Sequence, residues 1–137
     1  MSRRHCCLIA ALLGCAAATW AQDAVQIPMT ERVGDPASGQ RILESRCFAC
    51  HGLDHNRVGP ALGTVCGRTA GTAPGFAYSP ALRSVGQVWT RERLLAWLAD
   101  PQAMVPGQAM GYRVNTLSDR QDVVAYLATL ALPSCTP

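Results

Sequence analysis

The chain has 137 residues, no lysine, and twelve arginines against nine acidic residues. This length corresponds to one domain. Once Arg3 and Arg4 are removed with a predicted leader, ten arginines and nine acidic residues remain, which gives a formal charge of +1. Such a balance excludes the concentrated basic stripe that nucleic-acid binding requires, and it predicts weak long-range steering of charged partners.

Residues 1–21 predict a secretory signal peptide, and therefore a bacterial periplasmic protein. A short basic head precedes an apolar run from Cys6 to Ala18, which is too short to span a bilayer comfortably. Small residues follow, and Ala21 ends a plausible cleavage site. A buried N-terminal helix is the alternative interpretation of this segment.

Two variants of the export signal stay open beside cleavage at Ala21. The segment from Leu12 to Cys15 resembles a bacterial lipobox, which would place a lipid on Cys15 and anchor the chain to a membrane. Without that lipid, no membrane attachment is predicted. Arg3-Arg4 resembles a twin-arginine signal, although cysteines occupy the place where an apolar residue is expected.

The remainder of the chain divides into a flexible lead-in, one folded domain and a tail, at residues 22–33, 34–132 and 133–137. At the start of the domain, Asp35 predicts an N-cap and Pro36 the first helical position. Ile42 and Leu43 give this helix an apolar side. We expect the helix to run into Cys47.

Two later segments predict helices with one buried side each. Thr90 is expected to cap the first, which ends at Asp100 because the residue before a proline disfavours helical geometry. Ser118 and Gln121 form a predicted capping box for the second, and Pro133 stops it. The apolar positions at helical spacing are Leu94, Leu95, Trp97 and Leu98 in the first and Val123, Val124, Tyr126, Leu127 and Leu130 in the second.

Long loops lie between these helices, at residues 52–88 and 101–117. Residues 52–88 are rich in Gly, Pro and Thr, and a stretch of this length is uncommon in a compact domain unless something else fills the middle. Three short helices alone would bury little area. The sequence therefore predicts an all-α fold in which three main helices and long loops wrap around a bulky cofactor.

The motif Cys47-x-x-Cys50-His51 indicates which cofactor that is. Two thiols at this spacing can each add to one vinyl group of a haem, and the adjacent histidine becomes the proximal iron ligand. The prediction is therefore one covalently bound haem c. A thioredoxin-like redox pair would need a βαβ context, which is missing. A zinc site would need two further ligands, and only Cys66, Cys135 and His55 are available outside the leader.

A haem with one protein ligand is either open to small molecules or closed by a sixth ligand. The candidates are Met104, Met110, His55 and Met29. Met110 follows Pro106-Gly107 in a loop before the last helix, and this position lets the loop fold over the distal face of the haem. A thioether ligand favours ferrous iron and raises the reduction potential. We expect Met110 to be the ligand.

The sequence resembles the class I c-type cytochromes of the mitochondrial and bacterial c2 type over residues 34–131. The segments that carry the resemblance are residues 34–39, 47–51, 58–62, 66–79, 89, 94–101, 105–110 and 122–127. The resemblance implies the cytochrome c fold and a monomeric protein that passes single electrons between redox protein partners, without catalysing a reaction. The alternatives are a cytochrome subunit of a dehydrogenase or oxidase complex, and a haem enzyme or gas-binding protein with a displaceable Met110.

The resemblance also implies roles for individual residues. Pro60 should accept a hydrogen bond from His51. Gly39 and Tyr126 should meet where the first and last helices cross. The implied haem-site residues, with His51 and Met110 as iron ligands, are Cys47, Cys50, His51, Pro60, Arg68, Tyr78, Trp89, Trp97 and Met110. Of these, Arg68, Tyr78 and Trp89 should surround a buried propionate.

The chain departs from this family at several positions. Trp97 replaces a usual tyrosine whose hydroxyl touches the methionine sulfur, and an indole N–H is the expected substitute. The usual ring of lysines around the exposed haem edge is absent. We expect that edge near Cys50, Gln102 and Tyr112, and the nearest basic substitutes are Arg46, Arg57 and Arg113.

Cys66 and Cys135 are an even pair left over outside the leader, in a compartment that permits disulfides. In the fold that the resemblance implies, the loop before the propionate segment passes near the end of the C-terminal helix. A disulfide between these two cysteines is therefore a hypothesis.

Overall fold

The computed structural model describes residues 33–131 and Cys135, so the predicted leader, lipobox and most of the tail lie outside the described residues. The helices are α1 (Pro36–Arg46), α2 (Pro80–Ser84), α3 (Arg91–Ala99), α4 (Pro101–Met104) and α5 (Leu117–Leu130). Within the described part there is no strand, and a single isolated bridge joins Thr69 to Val88. The all-α prediction is confirmed. None of the helices in residues 33–131 is long and apolar enough to cross a membrane.

The start of α1 is the predicted one. The carboxylate of Asp35 accepts hydrogen bonds from the backbone N–H groups of Ala37 and Ser38, and Pro36 occupies the first helical position. The Ser38 hydroxyl and the Ala37 N–H together lower the pKa of Asp35. Cys47 caps the other end, where its N–H donates to the Leu43 carbonyl at 2.8 Å.

The three predicted main helices are present as α1, α3 and α5, and each long loop also contains a short helix that was not predicted. Ser79 caps α2 by accepting from the Leu82 N–H at 3.3 Å. Asp100 ends α3 and also caps α4, where its carboxylate accepts from the Ala103 N–H at 3.0 Å. In both short helices a proline follows the cap, so Pro101 ends one helix and begins the next.

The predicted capping box at Ser118 and Gln121 is also wrong. The N-cap of α5 is Thr116, whose hydroxyl accepts from the Asp119 N–H at 3.3 Å. Ser118 lies within the first turn, and Gln121 is buried further along the helix. The helix ends at Leu130, before the predicted stop at Pro133, which lies outside the described residues.

Helices α1 and α5 cross in close contact at the glycine that the resemblance indicated. A Cβ on Gly39 would lie 1.9 Å from the Asp122 carbonyl oxygen and 3.0 Å from the Cβ of Tyr126. The Asp122 carboxylate accepts from the Asp35 N–H at 2.7 Å, which ties the start of α1 to α5. The crossing brings the end of α1, and with it Cys47, against the apolar side of α5.

A disulfide joins Cys66 to Cys135, as hypothesised. Both cysteines are buried, at 5% and 2% exposure. The bridge fixes the chain beyond α5 against the segment that precedes Arg68. Cys66 is therefore not available as the third ligand of a zinc site.

Candidate cofactor site

The two remaining cysteines of the described chain lie in a turn that continues α1. The N–H groups of Cys50 and His51 both donate to the Cys47 carbonyl, at 3.0 and 2.9 Å. Cys47 is partly buried and Cys50 is exposed. Burial raises the pKa of the Cys47 thiol, and the nearby Arg46 charge partly offsets this effect. Both sulfur-bearing residues and the histidine line one cavity.

The imidazole of His51 is held by the chain that follows it. Its Nδ1–H donates to the Pro60 carbonyl, with 2.8 Å between nitrogen and oxygen, as the resemblance implied. A Cβ on Gly59 would lie 2.3 Å from the imidazole Cε1, so only glycine allows the backbone to pass this close to the ring. The Nδ1 bond selects the tautomer in which Nε2 carries the free lone pair that a metal ion requires.

The cavity is about 460 Å³, within the ~300–1,000 Å³ range of pockets that hold cofactors and other small molecules. Its walls are mainly apolar and come from α1, α3, α5 and the loops between them. All nine predicted site residues line it: Cys47, Cys50, His51, Pro60, Arg68, Tyr78, Trp89, Trp97 and Met110. The structure thus brings together residues that are up to 63 positions apart in the sequence.

Arg68 contributes a cationic group to the cavity wall. The guanidinium of Arg68 donates to the Ala61 carbonyl at 3.1 Å and to the Thr64 hydroxyl at 3.2 Å. Its Nε is buried and has no hydrogen-bond partner among the described residues. Trp89 exchanges backbone hydrogen bonds with this segment: its N–H donates to the Arg68 carbonyl and its carbonyl accepts from Gly67, both at 2.9 Å. Arg68 therefore offers the cavity wall a cationic group whose buried Nε–H has no partner in the described chain.

Met110 lines the cavity from the loop that follows α4. The loop turns at Pro106-Gly107, where Gly107 has a φ of +86° and the Gln108 N–H donates to the Val105 carbonyl at 3.1 Å. The indole Nε1–H of Trp97 lies 3.2 Å from the Met110 sulfur and donates to it. Trp97 in turn packs edge-on against Trp89, with ring centroids 5.3 Å apart.

The other candidates for a sixth ligand do not line this cavity. Met104 is partly buried at the end of α4, against the core rather than in the cavity wall. His55 is exposed and its Nδ1 lies 2.7 Å from the Asp54 carboxylate. Met29 lies outside the described residues. Met110 is thus the candidate that the structure brings to the same cavity as His51.

Much of the apolar cavity wall was not predicted as part of the site. The additional lining side chains include Leu43, Leu62, Val65, Phe76, Leu82, Leu94, Leu98, Val123 and Leu127. The members from α1, α3 and α5 were predicted as the buried sides of their helices, so the periodicity identified them as core but not as cavity wall, whereas Leu82 lies in α2, which was not predicted. Gly59 was missed as a positioning residue, although its place before Pro60 was a usable signal.

The three residues of the predicted exposed edge are exposed but line two different pockets. Cys50 and Tyr112 line the cavity and are exposed, whereas Gln102 lines a smaller adjoining pocket together with Gln108 and Arg113. Two of the three arginines expected to replace the lysine ring are ion-paired within the molecule. Arg46 pairs with Asp119 and Arg113 with Asp100, each at 2.9 Å.

These residues fit a haem c. Two free thiols, an imidazole with a fixed tautomer and a thioether all line one largely apolar cavity. The buried Nε of Arg68 lacks a partner that a propionate carboxylate would supply. When bound, haem c supplies an iron that accepts and releases one electron.

Comparison with known proteins agrees with this geometry. The family model for cytochrome c matches residues 36–131. A cytochrome c2 of Rhodopseudomonas palustris is 43% identical over 113 residues, covering 70% of this chain and 98% of that protein. The structure of cytochrome cH from Methylobacterium extorquens matches with a TM-score of 0.67 and 41% identity, over 70% of this chain and 99% of that one.

A third relative extends the agreement. The structure of cytochrome c2 from Rhodospirillum centenum has a TM-score of 0.68 and 38% identity, over 72% of this chain and 99% of that one. The family match, the relatives and the paired thiols of the cavity lead to one conclusion. The chain belongs to the cytochrome c family and is a single-haem electron-transfer protein, with haem c attached through Cys47 and Cys50.

Proposed function

We propose that this protein is an exported, periplasmic electron carrier whose haem iron is ligated by His51 and Met110 and therefore closed to substrates. The single observation that carries the proposal is that one cavity is lined by His51 and by Met110, whose sulfur accepts the Trp97 N–H at 3.2 Å. A methionine merely filling the core would not need a donor aimed at its sulfur. The carrier exchanges electrons with protein partners and converts no substrate itself.

Each residue of the site has a separate role in holding the haem. The Pro60 carbonyl holds the His51 ring by its Nδ1–H, which keeps Nε2 available as a ligand. The Trp97 indole orients the Met110 sulfur. Arg68 offers its positive charge and its buried Nε–H to a propionate, and the apolar wall excludes water from the cavity. These fixed partners keep the site in one geometry in both oxidation states, so that little reorganisation accompanies the transfer of an electron.

Optical spectroscopy of the purified holoprotein tests the ligand assignment. The oxidised protein is expected to show the weak near-infrared band of methionine–iron ligation, and the reduced protein is expected not to bind carbon monoxide. Met110→Ala should abolish the band and allow carbon monoxide to bind. Met104→Ala is the matched control, because Met104 does not line the cavity, and it should change neither result.

The opposite pattern would identify a different class of protein. Rapid carbon monoxide binding by the wild type would indicate a haem enzyme or gas-binding protein with a displaceable Met110. Loss of the near-infrared band in Met104→Ala, with Met110→Ala unaffected, would make Met104 the ligand instead.

Trp97→Phe tests the role of the indole. The N–H holds the Met110 sulfur in place as a ligand, and thioether ligation favours the reduced state, so removal of the N–H should loosen this ligand and lower the midpoint potential. Imidazole, which competes with Met110 in the oxidised protein, should bind roughly two- to twelvefold more tightly, since one hydrogen bond contributes ~0.5–1.5 kcal/mol. Both quantities come from potentiometric and imidazole titrations.

Trp97→Tyr is the control for the loss of ring volume. A phenol hydroxyl is also a donor, so this variant should recover part of the potential and of the resistance to imidazole. Equal effects of Trp97→Phe and Trp97→Tyr would mean that the indole acts by packing, against Trp89 for example, rather than through its N–H.

A further inference from the structure

Exposed residues line the mouth of the cavity, and Arg46 is the only charged one among them in the described chain. We call the exposed uncharged residues that line it the rim: Cys50, Val58, Ala77, Ala109, Gly111 and Tyr112. Val58 is 79% exposed and Tyr112 is 41% exposed, which places both among the most exposed large apolar or aromatic residues of the described chain. Exposed apolar side chains that surround a functional cavity are typical of a surface that contacts a partner.

Two arginines beside the rim are ion-paired within the molecule. Arg46 lies in the cavity wall, and its Nη1 is 2.9 Å from the Asp119 carboxylate. Arg113 lines the adjoining pocket, and its Nη2 is 2.9 Å from the Asp100 carboxylate. A paired plus and minus charge projects a much weaker field than an isolated charge, and salt screens what remains within about 10 Å.

A third arginine keeps its charge. The Arg57 guanidinium donates to the Phe48 carbonyl, which is uncharged, so it contributes one positive charge beyond the rim. This is small compared with a continuous ring of cations. The long-range attraction for an acidic partner is correspondingly weak.

We propose that the rim docks an uncharged, apolar patch on a redox protein, and that Asp100 and Asp119 determine this specificity by masking Arg113 and Arg46. The inference rests on the proposed carrier function. An electron passes between proteins only over a short distance, so a partner has to meet the surface closest to the cavity. An acidic partner would find too little unpaired positive charge there, whereas an apolar partner would find Val58 and Tyr112.

A second copy of this chain is a usable probe, because it presents the same rim. Electron self-exchange transfers one electron from a reduced copy to an oxidised copy, which exchange their states while no bond or proton is changed. Its rate is measurable from the broadening of haem-shifted proton resonances in mixtures of the two forms. We expect the wild-type rate to change by less than about twofold between low and high ionic strength.

Removing the carboxylates that pair with the two arginines should make the self-exchange rate depend on ionic strength. In the double variant Asp100→Asn, Asp119→Asn, like charges on the two rims repel, so self-exchange at low ionic strength should slow by roughly threefold or more and recover at high ionic strength. Asparagine retains the cap oxygen that Asp100 supplies to α4. The control carries the same change in net charge elsewhere: Glu44→Gln together with Glu92→Gln, both exposed and outside the cavity wall, should leave the rate near that of the wild type.

The apolar contact is tested separately by Val58→Ser. This change removes apolar surface without adding charge, and Val58 is exposed, so folding should be unaffected. Self-exchange should slow at every ionic strength. An unchanged rate in this variant would overturn the apolar part of the proposal.

The remaining outcomes separate this inference from the function on which it rests. A wild-type rate that rises severalfold with salt would show that the rim is charged, and would overturn the masking role while leaving the carrier function intact. Failure of self-exchange at all ionic strengths, together with carbon monoxide binding, would overturn the carrier function itself.

Discussion

Gly39→Ala is expected to destabilise the folded holoprotein by roughly 1–3 kcal/mol, the range found when an extra methyl is forced into a packed contact. Elsewhere in a helix the same change would stabilise by about 1 kcal/mol, because alanine has the higher helix propensity. Here the added Cβ would lie 1.9 Å from the Asp122 carbonyl oxygen, so α1 and α5 have to move apart. Denaturant unfolding of the oxidised holoprotein, followed by circular dichroism, measures the difference.

Two further variants test whether crowding against the Asp122 backbone causes this destabilisation. Gln40→Ala, on the exposed side of the same helix, should change the free energy of unfolding by no more than about 0.5 kcal/mol. Tyr126→Ala should not rescue Gly39→Ala, because the closest obstruction is the backbone of Asp122 and not the Tyr126 side chain. Rescue would instead mean that the tyrosine causes the crowding.

Features encoded within a few consecutive residues could be predicted from the sequence. The cap at Asp35 needs only the proline and the N–H groups that follow it. The motif from Cys47 to His51 lies in a single turn, and the resemblance supplied the hydrogen bond from His51 to the distant Pro60. These predictions succeeded because the signals for them are local, or because a known fold provides the long-range part.

Features that depend on competition or on tertiary contact were predicted poorly. Thr116 and Ser118 can both cap a helix, and the choice between them depends on where the chain turns after Val114, whose N–H donates to the Leu98 carbonyl at 2.8 Å. The pair between Arg46 and Asp119 joins residues 73 positions apart and exists only because α1 and α5 cross. The masking of the rim could therefore not be derived from composition, which counts charges without pairing them.

Removal of the disulfide between Cys66 and Cys135 is also expected to destabilise the protein strongly. It closes a loop with a sequence separation of 69, and its removal is expected to lower the free energy of unfolding by roughly 2–5 kcal/mol. The double variant Cys66→Ser, Cys135→Ser removes it without leaving a reactive thiol. Denaturant unfolding of the variant and the wild type measures the loss, and the wild type under reducing conditions should unfold like the variant.

The position of the disulfide predicts that its removal destabilises some parts of the molecule more than others. Cys66 belongs to the segment that carries Arg68, and the Cys135 sulfur lies 3.7 Å from the Trp89 carbonyl, which also accepts from Gly67. Without the bridge, hydrogen exchange at the Gly67 and Trp89 amides should accelerate more than exchange in α1, which is held by α5. A uniform acceleration would show that the disulfide acts only on the unfolded chain. Two free thiols in the unfolded, oxidised holoprotein would show that the bridge does not form, because Cys47 and Cys50 are consumed by the haem.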